Sequence, residues 1–418
     1  MAKFASDLES LNRMIPSLPL QTVGEETIAK IQVRLCQLET SDLPAPEANS
    51  TDRSKCSNNP RLYTFLRSLS TTYEHKEVVS VIRKTKITDY SIPIDPVILQ
   101  QLRSGIDEKT FQDIQASFLS HDSRMSLENL KGSPTEHRRL ENGQDFLETI
   151  KTLGVGAFAT VHHVRHRVSK AEYACKRVQR GPVTSQHTKL QDFLNERNVL
   201  QQLDHVHIVK LVASYTDTDT FSLILSPVAS GTLESFLEHM SSTLGEANVS
   251  ATAGFEKNAS ILRHAFGCLL STLVYLESQC VRHRDIKPTN ILLDSEGRVR
   301  LCDFGSSLDY SSTKEATTEG ISIGHTRGYC APEVERGEPR NTLSDVWSLG
   351  RVFFEMVAVL RKRPVQHAKN SIGKDGERIG SLISKYLAGL LSEPNSDCDN
   401  AIINHTVHMV SFQVDCDL

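Results

Sequence analysis

Apolar residues recur with a helical period early in the chain and with a strand period only later. Ile28, Ile31, Leu35 and Leu38 fall at 3-4-3 spacing and predict one buried helical face over 24–39. The pattern is too short for a coiled coil, so a helix packing on its own domain is expected. Residues 41–60, polar with Pro and Asn, read as a linker. Stretches 61–85 and 96–119 read as two or three amphipathic helices, with Pro93 and Pro96 between them, and polar 121–145 reads as a second connector. Strand signals start only after residue 145. FLETIKTL, TVHHVRH and EYACKRV are β-type segments joined by short turns, as in an antiparallel sheet. Leu194, Val199, Leu200 and Leu203 mark the packed face of the next helix. From Asn258 onward the pattern is mostly helical, with short strands at 291–293 and 299–301. A β-rich part followed by a helical part predicts an α+β, bilobal arrangement, small β-rich lobe first, preceded by a mostly helical region 1–140. No internal repeat is visible.

Composition narrows the classes. The 418 residues allow two or three domains, and 39% hydrophobic with 23% charged residues is ordinary for a globular protein. With 47 basic against 51 acidic residues, the net charge of -4 argues against nucleic acid or an anionic membrane as the main partner. Nine scattered cysteines without a C-x-x-C pair fit a reducing compartment rather than zinc or disulfide chemistry. The N-terminus lacks the pattern of a signal peptide, and no uninterrupted apolar run reaches the ~20 residues that span a bilayer. A soluble, intracellular protein, cytoplasmic or nuclear, is the expectation.

The chemistry sits in several short motifs. Gly154-Val155-Gly156-Ala157-Phe158-Ala159-Thr160-Val161 follows the first strand. Glycines let a backbone approach phosphate oxygens and present N–H groups to them, although alone the segment reads equally as a hairpin turn. Tyr173-Ala174-Cys175-Lys176 places a lysine among apolar strand residues, where it either snorkels to solvent or meets an anion. Glu196, on the helix beyond, reads alone as a solvated acid. His283-Arg284-Asp285-Ile286-Lys287-Pro288-Thr289-Asn290 is followed, across the hairpin ILLDSEGRVRL, by Asp303-Phe304-Gly305.

Together these segments resemble the protein kinase superfamily, Ser/Thr class. The glycine loop matches except that Ala159 replaces the third glycine, and H-R-D-x-x-x-x-N and D-F-G match without departure. The resemblance implies transfer of the γ-phosphoryl of ATP to Ser/Thr hydroxyls of protein substrates, with ATP and Mg2+ as cofactors. It implies that Asp285 accepts or orients the proton of the attacking hydroxyl and that Lys287 contacts the γ-phosphoryl. Asn290 and Asp303 are the implied metal ligands. The implied nucleotide set is Leu153, Gly154, Val155, Gly156, Ala157, Phe158, Ala159, Val161, Ala174, Lys176, Glu196, Ser226, Val228, Asn290 and Asp303. Lys176 would neutralise the α- and β-phosphates with Glu196 as its partner, and the backbone of Ser226 and Val228 would meet the adenine edge beside Leu225. Phosphoryl transfer asks a protein for positioning and charge neutralisation, which this residue set supplies.

Further segments extend the resemblance. Ala331-Pro332-Glu333 matches A-P-E, with Thr326 upstream implied to align Lys287 and Asp285, though His325 stands where glycine is usual. Asp345-Val346-Trp347-Ser348-Leu349-Gly350 resembles D-x-W-S-x-G, in which Asp345 supports the catalytic-loop backbone. The hydroxyl-rich stretch between Asp303 and Glu333 is the implied activation loop, with Thr317, Thr318 and Ser322 as phosphorylation candidates for Arg284 to pair with. Cys302 reads as a small buried hydrophobe. After Glu355 the resemblance fades. No arginine segment for Glu333 is apparent beyond Arg361 or Arg363, and 401–418 reads as a divergent tail, so the large lobe is expected to be rebuilt or incomplete. Expected domains are the helical region 1–140, a kinase domain 146–400 and that tail. A regulatory or docking role, with a regulatory partner, is expected for the first region. The competing readings are a non-catalytic kinase-fold scaffold and a small-molecule kinase.

Overall fold

The computed structural model describes residues 25–42, 55–69, 75–94, 108–119, 137–156, 159–181, 183–244, 249–313, 317, 328–371, 376–394 and 396–411. The chain divides into two compact units, Met1–Phe193 with Val212–Ile224, and Leu194–Leu211 with Leu225–Leu418.

The first unit opens with helices α1 (Glu25–Asp42), α2 (Pro60–Leu69), α3 (His75–Thr85) and α4 (Glu108–Ala116). Ile28, Ile31, Leu35 and Leu38 are all buried, as their spacing predicts, and share one core with Leu62, Phe65, Val78, Ile82 and Phe111. Phe65 meets Phe111 and Phe118 edge-on at 5.6 Å each, the geometry that aromatic quadrupoles favour. The expected linker 41–60 is ordered at its end: Cys56, Ser57 and Asn59 are buried before α2. Asp89 accepts the backbone N–H groups of Arg61 and Leu62 at 3.2 and 2.7 Å, satisfying orphan donors in the first turn of α2.

The same unit carries a six-stranded sheet in the order β1-β5-β6-β4-β3-β2. Its strands are β1 (His137–Arg139), β2 (Leu147–Val155), β3 (Ala159–His166), β4 (Glu172–Gln179), β5 (Lys210–Thr216) and β6 (Thr220–Ser226). The antiparallel β2–β3–β4 meander is the one the alternation predicts. Strand β1 is a correction, because 137–139 lies in the stretch read as a connector. It pairs in parallel with β5, His137 opposite Ser214 and Arg139 opposite Thr216. A three-residue edge strand has no periodicity to read, and its pairing is non-local. The segment 88–94 ties the helices to this sheet. Arg180, 2% exposed, donates to the carbonyls of Pro93 (2.5 Å), Ser91 (2.7 Å) and Asp217 (2.9 Å). Thr216 Oγ1 donates to the Ile92 carbonyl at 2.8 Å, so these buried acceptors are met by side chains.

Helix α5 (Val183–Gln202) leads into the second unit. There follow β7 (Gly231–Thr232), α6 (Leu233–Ser242), α7 (Val249–Ser278), β8 (Val281–Arg282), β9 (Ile291–Leu293), β10 (Val299–Leu301) and β11 (Leu308–Asp309). The unit ends with α8 (Pro332–Arg336), α9 (Leu343–Leu360), α10 (Val365–Ser371), α11 (Gly376–Leu391) and α12 (Asp397–Ser411). By length and composition Ala253–Ser278 is apolar enough to cross a membrane, with a mean hydropathy of 1.4. One face of it is buried, with Leu262, Phe266, Leu269 and Leu276, and the Phe266 ring lies 4.5 Å from that of Phe353 of α9. Residues 401–411, read as tail, complete α12, whose Ile403, Thr406 and Val410 are buried. A Cβ on Gly350 of α9 would come within 2.9 Å of Met409 and Val410, so glycine permits this close helix approach.

Candidate active site

In the first unit, strand register places the predicted nucleotide residues together. Gly154 lies opposite Val161, and Val161 opposite Lys176. Directly opposed residues project from the same face, as do residues two apart, so Val161, Ala174 and Lys176 share one face of the sheet. Val155 is 79% and Leu153 37% exposed, leaving apolar side chains at the loop's entrance. The Gly156 N–H donates to the Ala159 carbonyl at 2.8 Å and closes the turn. The loop tip, Ala157 and Phe158, lies outside the described residues. Among the described residues nothing stands within 4 Å of a Cβ built on Gly154. Asp192, which the sequence reading passed over, is coupled electrostatically to Lys176. Burial pushes its carboxyl above the usual range while the lysine pulls it down.

In the second unit, three segments converge. The carboxylate of Asp345, at the start of α9, accepts the N–H of His283 at 2.7 Å and of Arg284 at 2.8 Å. These bonds hold Arg284 at φ +71°, a left-handed backbone that non-glycine residues rarely adopt. The loop is thereby bent so that Asp285 meets Lys287 Nζ at 2.7 Å. Asn290 Nδ2 donates to the carbonyl of Asp285 at 2.8 Å and to its Oδ2 at 3.0 Å. The Cys302 N–H donates to the Asn290 carbonyl at 2.9 Å, and His283 Nε2 lies 3.0 Å from the Cys302 carbonyl. The half-buried Cys302 thus acts through its backbone, tying D-F-G to the catalytic-type loop. Asp303 itself is left-handed at φ +66°. Strain at such a residue persists only where its surroundings over-determine it.

Helix α5 is pinned to the D-F-G segment. Asn195 Nδ2 donates to the carbonyls of Gly305 (3.4 Å) and Ser307 (2.8 Å). Glu196 is 3% exposed, so it is no solvated acid, and its Oε2 lies 3.7 Å from a Cβ built on Gly305. The donor set suits magnesium. Asn290, whose amide nitrogen is engaged by Asp285, could contribute an amide oxygen, and Asp303 a carboxylate. A hard cation held by one or two such groups plus phosphate oxygens is the usual magnesium arrangement. At the end of β6 and just beyond it, Ser226 and Val228 are half-buried. The chain then pairs Gly231 with Leu293, and the Ser230 N–H donates to the Leu293 carbonyl at 2.8 Å.

A buried ionic cluster was not anticipated. Tyr329 donates to Glu355 Oε1 at 2.8 Å, Lys369 Nζ lies 3.4 Å from Glu355 Oε2, and Arg351 Nε donates to the Gly328 carbonyl at 2.9 Å. Burial raises the Glu355 carboxyl despite Arg351 and Lys369. The i,i+4 pair Arg351–Glu355 within an apolar helix was the available signal. This cluster fixes the start of the segment that leads into Ala331-Pro332-Glu333. Thr326, Thr318 and Ser322 lie outside the described residues, and Thr317 is exposed. Arg361 and Arg363 both pair with Glu393, at 3.1 and 2.7 Å, rather than with Glu333. Glu333 has no ion pair among the described residues, and burial holds its carboxyl above the usual range.

The family model for the protein kinase domain matches residues 147–405. The chain is 26% identical over 364 residues to the serine/threonine-protein kinase AtPK2/AtPK19 of Arabidopsis thaliana, covering 85% of this chain and 70% of that protein. It is 30% identical over 259 residues to AtPK1/AtPK6 of the same plant, covering 60% and 51%. It is 31% identical over 215 residues to the human cAMP-dependent protein kinase catalytic subunit PRKX, covering 51% and 54%.

Proposed function

The chain belongs to the protein kinase family, and on that premise we propose that it transfers the γ-phosphoryl of ATP to serine or threonine hydroxyls of protein substrates. The observation that carries the proposal is the fixed position of Asp285, held by Lys287 and Asn290 in a loop braced by Asp345. Asp285 orients the substrate hydroxyl and takes its proton as the oxygen attacks. Lys287 offsets negative charge on the transferring group. Lys176 binds the α- and β-phosphates, with Glu196 as its partner. The exposed Leu153 and Val155, together with Val161 and Ala174, offer the base an apolar surface, and the backbone of Ser226 and Val228 bonds its edge. Asn290 and Asp303 would hold magnesium, which supplies charge neutralisation at the phosphate oxygens. The ordered helices through Ser411 support a working enzyme over a scaffold. The scattered positions of the cysteines, with no C-x-x-C pair, support a reducing compartment, cytosol or nucleus. The helical region joined to the sheet through 88–94 is proposed as the site of a regulatory partner.

The test is incorporation of γ-labelled phosphate into a basic protein substrate with magnesium. Wild type is expected to be active, and Asp285→Asn and Lys176→Met to lose activity by at least about a hundredfold. A folded wild type that binds nucleotide but transfers no phosphate would establish the scaffold reading instead.

A further inference from the structure

A cavity of about 530 Å³ opens in the helical part of the first unit, far in sequence from every kinase motif. Its volume lies in the range of small-ligand sites, about 300–1,000 Å³. Its wall comes from the end of α1, from Lys55 and Cys56, and from one face of α3. On that face Lys76, Ser80 and Lys84 repeat every four residues, with Arg83 beside them, while Val78 and Ile82 turn into the core. Among the described residues Lys55, Lys76, Arg83 and Lys84 line this pocket together with one carboxylate, Glu39. That carboxylate is already engaged. One oxygen accepts the Ser57 N–H at 3.1 Å and the other the Ser57 hydroxyl. Burial, with Glu39 beside it, pushes the Cys56 thiol up to about 12, while Arg83, which lines the same pocket, pulls the other way.

We propose that this pocket binds a small, multiply phosphorylated ligand. Several cations around one half-open pocket repel one another, and an anion with several charges removes that repulsion. Phosphate esters supply the charge and the acceptor oxygens that Arg and Lys recognise. Among the described lining residues His75 carries the one aromatic ring on which a nucleobase could stack. A soluble polyphosphate and a phosphorylated lipid headgroup share this chemistry.

The test is calorimetric titration of the full chain with inositol hexakisphosphate, in excess magnesium and a non-hydrolysable ATP analogue so that the nucleotide site is filled. A parallel sedimentation assay uses vesicles containing phosphatidylinositol 4,5-bisphosphate. Wild type is expected to bind one-to-one. Lys76→Glu should weaken binding about tenfold, and Lys76→Glu/Arg83→Glu about a hundredfold. Both side chains are exposed, so the fold should survive. Lys76→Gln/Arg83→Gln, which removes charge without reversing it, should show the same direction. Lys385→Glu, an equal charge change at an exposed position of α11, should bind as wild type. Binding to the soluble probe alone assigns a free ligand, and binding that requires vesicles assigns the lipid. Failure of wild type to bind either probe, or equal weakening by Lys385→Glu, would overturn the proposal.

Discussion

Replacing Asp345 by asparagine removes one of two charge-assisted bonds that shape the catalytic-type loop. Asp345 is 5% exposed, and each of its oxygens takes one backbone N–H, from His283 and Arg284. Asparagine keeps one acceptor and turns an NH2 group toward the other N–H. A hydrogen bond to a charged group is worth about 1.5–3 kcal/mol, and a buried unpaired donor costs a similar amount, so about 2–4 kcal/mol is lost locally. Arg284 at φ +71° holds strain of about 1–3 kcal/mol that these bonds oppose. The two quantities are comparable, so the loop should relax toward an ordinary backbone and carry Asp285 with it. Misplacing a reacting group by an ångström costs about a hundredfold. The expected result is a kcat lower by about that factor with little change in KM for ATP, read by steady-state phosphotransfer well below the melting transition. Circular dichroism on the same sample checks that the protein is folded. A kcat within a few-fold of wild type would refute the bracing argument.

Arg180→Met leaves the Ser91, Pro93 and Asp217 carbonyls without a donor that the sheet now supplies. The expected loss is about 3–5 kcal/mol by urea denaturation, with faster amide exchange over 88–94. Unchanged exchange there would mean that the helical region does not depend on this arginine. Asp399 pairs with Arg263 at 3.0 Å, joining α12 to α7. Burial alone would raise its carboxyl, but the Arg263 hydrogen bonds and charge outweigh it and hold it below the usual range. A depressed carboxyl contributes stability above its unfolded pKa of about 4, and that contribution is lost as pH falls through the folded value. Asp399→Asn should therefore cost about 1–2 kcal/mol at pH 7, and the gap from wild type should close progressively as melting is followed below pH 4. A gap independent of pH would reject the ion pair as the cause.

The sequence alone determined the chemistry and much of the local structure. Ile28, Ile31, Leu35 and Leu38 predicted their helix because burial of one face imposes a 3-4-3 spacing. His283–Asn290 and Asp303–Gly305 were legible because their work needs fixed residue types at short separations. Only the tertiary structure decided what depends on contacts distant in sequence. Glu196 reads as a surface acid until α5 packs on Gly305 and buries it. Strand β1 exists only because β5, far along the chain, offers it an edge. The end of the chain looked divergent because Met409 and Val410 answer to one glycine, Gly350, on another helix. Arg351 and Glu355 of α9 meet Tyr329 in a cluster that joins positions more than twenty residues apart. Periodicity reports which face is buried, but not which partner buries it, and a buried charge is tolerated only once that partner is in place.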